Sequence, residues 1–384
     1  MMSGRFGGVL QCHLRFYQLC GFHTLSLPLK DWQRGGEKSW LLRGWAVCLL
    51  VAFSAVTLLV FTSNEEYLYQ GDRFGQVNDG LKFCFAELAV VSIYAESLCR
   101  HRQLARFFSL YASLHHGPAL GLWQQWRQHA RYLIVFYVLA VTDLSLLALF
   151  WDQQIMTKHL LLFWTTFQPF ICAVHLRNMQ FVLHLELLRQ QLVQMEQELA
   201  LLADYSLFAS TSATFVGFED YVRRRLRQKQ LQFGRIYEMS RCFQEAFGYS
   251  ILFVLLTIYV RVLVDCYFMY YTLYQGINEK DYYMLLPGFL QIPAFIQVSQ
   301  SCMYLVKRIA YRLHSIVARN SIGSSPLSLQ IQNFSLQILH QNIRIHCLGI
   351  ATIDGYLLTR IVCAISTYMV FFVQFMPKLT NFSN

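Results

Sequence analysis

The chain has 384 residues, of which 55% are hydrophobic and only 14% charged, with a mean hydropathy of +0.35. Such a composition is too apolar for a soluble globular protein and reads as a polytopic membrane protein. The net charge of +10 would suggest nucleic acid, but the basic residues cluster in alternate loops, which excludes that partner in favour of a lipid bilayer.

In chain order, residues 1–40 are broken by polar residues and lack a basic-then-apolar leader with a small-residue cleavage site, so the first span is expected to act as the signal anchor. That span, about Leu41 to Thr62, is long enough as a helix for a hydrocarbon core of about 30 Å. The second, about Gly80 to Leu98, is weakened by Lys82, Glu87 and Glu96, and both glutamates are expected to be buried beside an Arg or Lys. The third, about Tyr132 to Trp151, holds Asp143. The fourth begins near Leu160 and runs past Leu183 into ELLRQQLVQMEQELALLADYS. This amphipathic continuation predicts a helix that leaves the bilayer for the cytoplasm. The basic run Arg223 to Lys229 reads as a solvated face or an attraction to anionic lipid.

Span five, about Ala246 to Tyr274, carries Arg261 and Asp265, whose spacing predicts a local pair on one helix face. Span six, about Met284 to Val306, has Pro287, Gly288 and Pro293 near its start. Ser321 to Pro326 is a breaker cluster, and Leu327 to Ile345 reads as an amphipathic cytoplasmic helix. The last span, Gly355 to Met376, has 22 residues and one charge, Arg360, and Pro377 is expected to stop it.

Lys and Arg outside the spans alternate from end to end: five in residues 1–40, then one, five, one, eight, one, five and one. This places the N-terminus inside and the C-terminus outside, opposite to a G-protein-coupled receptor. The expected organisation is a cytoplasmic segment 1–40, spans one to four in 41–185, a cytoplasmic helical extension 186–245, and spans five and six in 246–306. A cytoplasmic anchor segment 307–354, the last span 355–376 and an extracellular tail 377–384 follow. The fold class is therefore all-α with seven spans.

With that orientation, several elements bring aromatic and sparse polar groups to the outer half of the membrane. They are Asp143 with Phe150 and Trp151 on span three, and Phe163, Trp164, Thr165, Thr166 and Gln168 on span four. Asp265, Tyr267 and Phe268 on span five and Gln291 on span six complete the set. Flat apolar walls with a few hydrogen-bonding groups are what a small-molecule pocket needs. An aromatic belt at the interface explains Tyr271, Tyr274, Tyr282 and Tyr283 equally well. The eleven cysteines imply no extracellular disulfide framework, and the sequence has no phosphate loop, metal-spaced His/Cys pair or nucleophile elbow. Neither an enzyme nor a cofactor is indicated. No internal repeat supports an inverted-repeat transporter.

Arg360, Thr367 and Gln374 recur every seven residues on the last span, with Ala364 and Phe371 between them, so one face is polar. Such a face packs on other helices or lines water. Thr367-Tyr368, five apolar residues and Gln374-Phe375 resemble the TY-five-hydrophobics-QF signature of the last transmembrane segment of insect gustatory receptors. Asp354, Leu357, Leu358 and Ile361 fit the same segment. The resemblance implies a ligand-gated, non-selective cation channel of four like or related subunits in the plasma membrane of gustatory neurons. It further implies a tastant pocket in the outer half of spans two to six, for which Asp143, Phe163, Trp164, Thr165, Gln168, Asp265, Phe268 and Gln291 are the candidates, and a pore lined by the last span, for which Arg360, Thr367, Phe371, Gln374 and Phe375 are the candidates. The sugar-sensing branch carries Glu where this chain has Met369, which implies a bitter or other non-sugar ligand. A small-solute transporter and a receptor coupled to intracellular proteins are the alternatives.

Overall fold

The computed structural model describes residues 8–26, 39–63, 68, 73–114, 122–152, 158–211, 218–274, 286–319 and 326–380; at some helical positions, among them 163, 164 and 375, it describes the backbone alone. Within these residues there are eleven helices and one two-stranded hairpin. α1 (Gly8–Leu19) is followed by α2 (Trp40–Thr62), α3 (Arg73–Cys99), α4 (His101–Leu114), α5 (Leu122–Gln128) and α6 (Ala130–Asp152). Then come α7 (Lys158–Thr211), α8 (Phe218–Tyr274), α9 (Leu286–Arg319), α10 (Pro326–His340), β1 (His346–Cys347), β2 (Ala351–Thr352) and α11 (Gly355–Thr380).

The seven expected spans fall on α2, α3, α6, α7, α8, α9 and α11. Among the described residues, α2 and α8 are by themselves long and apolar enough to cross a bilayer. At about 1.5 Å per residue, the 54 residues of α7 and the 57 of α8 reach about 80 and 85 Å, far beyond a hydrocarbon core. Both must project from it. Their projecting halves, which share residues 186–245 apart from those outside the described set, pack with α9 and α10 through Leu192, Met195, Leu199, Phe233, Ile236, Phe334 and Ile338. Glu196 accepts from Arg308 at 2.8 Å and Arg312 at 3.1 Å, and Lys229 pairs with Glu198. Arg223, Arg224, Arg225 and Arg227 are exposed about 30 Å along α8 from Ala246. Of the two readings of this run, the solvated face fits.

Three local features depart from expectation. Residues 8–19 form a helix despite their polar residues, because Val9, Leu10, Leu14 and Tyr17 share a buried stripe; Tyr17 Oη lies 2.8 Å from Tyr132 Oη of α6. The cytoplasmic helix of the sixth loop ends at His340, not Ile345. Beyond it the chain turns through the β1–β2 hairpin, where His346 pairs with Thr352 and Cys347 with Ala351. Leu348 and Gly349 take positive φ at its tip, and glycine adopts that conformation without strain. The tip sits on α8, where a Cβ at Gly248 would approach Leu348 Cδ2 to 3.0 Å. Finally, α11 is not stopped by Pro377 but continues to Thr380. Pro377 removes the donor that would bond the Val373 carbonyl and crowds that carbonyl, a cost that a helix can meet by kinking rather than ending, and only three residues of α11 follow it.

The hairpin holds α11 on its neighbours. Ser299 Oγ of α9 donates to Ile353 O at 2.7 Å, Gln244 Nε2 of α8 donates to Arg344 O at 2.8 Å, and the Asp354 carboxylate caps α11 by accepting from Leu357 N at 3.1 Å. The expected breakers at 321–325 and the residues Tyr282 and Tyr283 lie outside the described residues.

Candidate ligand pocket and pore helix

Charges inside a bilayer persist only when they are paired, so the intramembrane acids and bases locate one another. Four helices contribute to one chain of contacts. Lys82 Nζ of α3 lies 2.6 Å from Asp265 Oδ1 of α8, whose Oδ2 is 3.4 Å from Arg261 Nε. Arg261 Nη1 donates to His175 Nε2 of α7 at 3.1 Å, and His175 Nδ1 meets Asp143 Oδ2 of α6 at 2.8 Å. A guanidinium cannot accept, so Nε2 must; the proton of the neutral imidazole then sits on Nδ1 and points at Asp143. Lys82 also has Asp79 of its own helix at 3.9 Å, so two cations stand among three carboxylates. The expected Arg261–Asp265 pair exists, but Asp265 has a closer partner in Lys82, and His175 joins the pair to Asp143. Neither Lys82 nor His175 was foreseen. The only signal was Lys82 itself, a cation in a span that has to find a carboxylate somewhere.

A second buried centre lies toward the cytoplasmic ends. Glu96 accepts from Arg177 Nη2 at 3.0 Å, from the Tyr249 and Ser250 backbone amides at 2.7 and 3.1 Å, and from Ser250 Oγ. Arg177, 1% exposed, lies 4.6 Å from the Phe247 ring centroid. The cationic partner expected for Glu96 is therefore present. Glu87 differs from expectation: Ser54 and Thr57, one turn apart on α2, donate to its two oxygens at 2.7 and 3.0 Å.

Among the other expected pocket residues, Gln291 is fully buried on α9, and Asn178 Nδ2 of α7 donates to its backbone carbonyl at 3.3 Å. Phe268 is half-buried, with Lys82 Nζ 5.0 Å from its ring. Gln168 is half-buried and its Nε2 reaches Cys172 Sγ at 3.7 Å. Thr165 is exposed and its hydroxyl bonds back to Leu162 O, so it is not brought into the interior. Phe163 and Trp164 lie on α7, but their side chains are outside the described set. The structure thus gathers Asp143, Asp265 and Phe268 round one polar chain and places Gln291 at a separate helix contact.

α11 packs on α8 and α9 through Leu357, Leu358, Ile361, Ile365 and Met369. The opposite side is left outward: Arg360, Thr367, Phe371 and Gln374 are all exposed, and Ala364 is half-buried. Tyr368 and Phe371 are each 49% exposed, so about half of each side chain is left outward. Thr359, Ser366 and Thr367 donate to carbonyls one turn earlier, which leaves their oxygen lone pairs free along the same exposed side. The Phe375 side chain is outside the described set.

Seven helical spans, basic loops on one side and a last helix with an outward polar face define a polytopic helical membrane protein built to associate or to line water. The chain matches the model of the 7tm chemosensory receptor family over residues 10–378 and belongs to that family. Its fold is similar to the insect olfactory receptor OR5 from Machilis hrabei, with a TM-score of 0.65 at 13% identity over 95% of this chain and 97% of that one. The same receptor in complex with eugenol aligns with a TM-score of 0.61 at 13% identity, over 95% and 98% of the two chains. No curated protein matches by sequence.

Proposed function

We propose that the chain is a subunit of a ligand-gated, non-selective cation channel of the gustatory kind, assembled as a homo- or hetero-tetramer in the plasma membrane of sensory neurons. The observation that carries this is the outward side of α11. A helix that exposes Arg360, Thr367 and Gln374 within a bilayer requires water or protein against them, and copies arranged round a shared axis supply both. The cytoplasmic halves of α7 and α8, with α9 and α10, form the anchor that holds the copies. The TY-to-QF signature favours the gustatory branch, and Met369 favours a non-sugar ligand. A small-molecule ligand accords with eugenol in the OR5 complex.

In this reading the ligand occupies the outer halves of the spans, with Trp164, Gln168, Phe268 and Gln291 as its contacts. Phe371 or Phe375 closes the pore by dewetting, and Gln374 offers amide oxygens to a cation. Gln374 and Phe375 point about 100° apart, so a small rotation of α11 exchanges one for the other at the axis. Whole-cell recording tests this. Phe371→Ala or Phe375→Ala raises ligand-independent current, and Gln374→Ala changes permeability ratios among monovalent cations. Silent phenylalanine variants together with unchanged ratios, at normal surface expression, would remove α11 from the pore.

A further inference from the structure

The polar groups of the membrane interior divide into those that satisfy one another and those that do not. Lys82, Asp265, Arg261, His175 and Asp143, with Asp79 beside Lys82, form one paired chain, and Glu96 with Arg177 and Ser250 forms another. Among the described residues, Asn78, Gln180 and His184 each keep one unpartnered atom, and Gln291 and Asn178 keep three between them at one contact of α7 with α9. Both are 0% exposed, yet Gln291 Nε2 and Oε1 and Asn178 Oδ1 have no partner among the described residues. Their one mutual contact, Asn178 Nδ2 to Gln291 O, holds α7 and α9 in register and leaves these three atoms free.

Their depth follows from helix geometry. Cys302 Sγ of α9 meets Leu185 O of α7, which levels the two helices near their cytoplasmic ends. Counting about 1.5 Å per residue from that level puts Asn178 about 10 Å and Gln291 about 16 Å into a core about 30 Å thick. The amides therefore lie at mid-membrane, below the outer halves to which the proposed ligand is assigned.

We infer that the Gln291 and Asn178 amides form the floor of the ligand pocket and read an uncharged small molecule that presents a hydrogen-bond donor and an acceptor on neighbouring atoms. Gln291 Nε2 supplies donors, while Gln291 Oε1 and Asn178 Oδ1 supply acceptors, so a primary amide or a vicinal diol matches the set. An ionic ligand would have to draw an acid or base from the partners it already has, Asp79 and Asp265 from Lys82, Asp143 from His175 or Arg177 from Glu96, and stranding one of these in low dielectric is costly. Asp143 and Asp265, expected from sequence to touch the ligand, instead brace the helices around it. This inference rests on the channel reading only for the location of the pocket.

The test uses the purified full-length protein and four probes that share a ring: benzamide, benzoate, benzylammonium and toluene. Gln291→Met, close in size to the native residue, removes two unpaired buried polar atoms and should raise the melting temperature without any probe. Gln291→Leu replaces it where Met fails to express. Benzamide at millimolar concentration should stabilise the native protein more than the other three, and the substitution should weaken benzamide binding at least tenfold. A melting temperature that falls on substitution shows that the amide is paired in the native protein and overturns the inference. Benzamide without effect, or benzoate, benzylammonium or toluene as effective as benzamide, overturns it as well. Currents separate the two proposals: Gln291-dependent benzamide binding to a protein that never conducts would refute the channel and leave the ligand class intact.

Discussion

α2 and α11 both leave most of their described surface outside the fold, but their outward sides have different chemistry. α2 buries only Ala46 and Val60, and the rest of it presents Leu41, Val47, Val51, Leu58, Leu59 and Phe61. Its mid-span hydroxyls at Ser54 and Thr57 are turned to Glu87, and its other exposed hydroxyl, Thr62, lies at its last residue. α11 has no fully buried residue among those described from Gly355 to Gln374, and Arg360, Thr367 and Gln374 face out along one line. Hydrocarbon is a sufficient neighbour for the first helix. For the second it is not, since a guanidinium and an amide cannot satisfy themselves on their own helix.

A charge placed on each outward side breaks the comparison most severely. Val51→Arg puts an unpaired cation into lipid near the middle of α2, a penalty of about 2.5–3.5 kcal/mol, and should remove most of the protein from the cell surface. Thr367→Arg, on the polar side of α11, should reach the surface at close to the native level and reduce cation conductance. Equal surface loss in the two variants, measured by surface biotinylation, would mean that α11 faces lipid as α2 does.

The interior that separates these helices should be as sensitive. Glu96→Gln leaves Arg177 buried without its carboxylate, and removing one partner of a buried pair costs about 3–5 kcal/mol. The variant should lose its sharp thermal transition in detergent, and Glu96→Gln with Arg177→Met should recover part of it. A double variant no better than the single would show that the pair is not what holds α3, α7 and α8 together.

How much of this could be read from the sequence depends on range. Apolar length and the Lys and Arg count depend on neighbours, so the spans and their orientation were legible, as was the heptad line Arg360, Thr367 and Gln374. Pairing across the fold was not. Lys82 and Asp265 are 183 positions apart, and nothing near either names the other. The hairpin was missed because strands of two residues show no alternation. α1 was missed because its buried stripe is interrupted by His13, which hydrogen-bonds Tyr132 Oη at 3.0 Å rather than facing water. Of the expected site, the polar side of α11 was legible, whereas the roles of Asp143 and Asp265 were not, because a charge in a span looks the same whether its partner is a ligand or a neighbouring helix.

A smaller effect belongs to the cytoplasmic side. His23 is fully buried edge-on to Phe108, with neither ring nitrogen partnered among the described residues, and burial lowers its pKa from 6.5 to about 4. The unfolded chain takes up this proton near pH 6.5 and the folded one only near pH 4. Its titration therefore adds no cost above pH 6.5 and destabilises progressively as the pH falls toward 4, by about 1.4 kcal/mol per unit. His23→Leu should flatten the melting temperature between neutral pH and about pH 5. An unchanged slope would place the acid sensitivity elsewhere.

The most direct measurement asks which of the two helices meets water. With the exposed Cys363 replaced by Ser, Thr367→Cys and Val51→Cys channels are recorded while a charged methanethiosulfonate reagent is applied from either side. If α11 lines the conduction path, the reagent alters current through Thr367→Cys within the exposure and leaves Val51→Cys untouched. Thr367→Cys channels that open and conduct unchanged in the reagent would contradict the assignment of α11 to the pore.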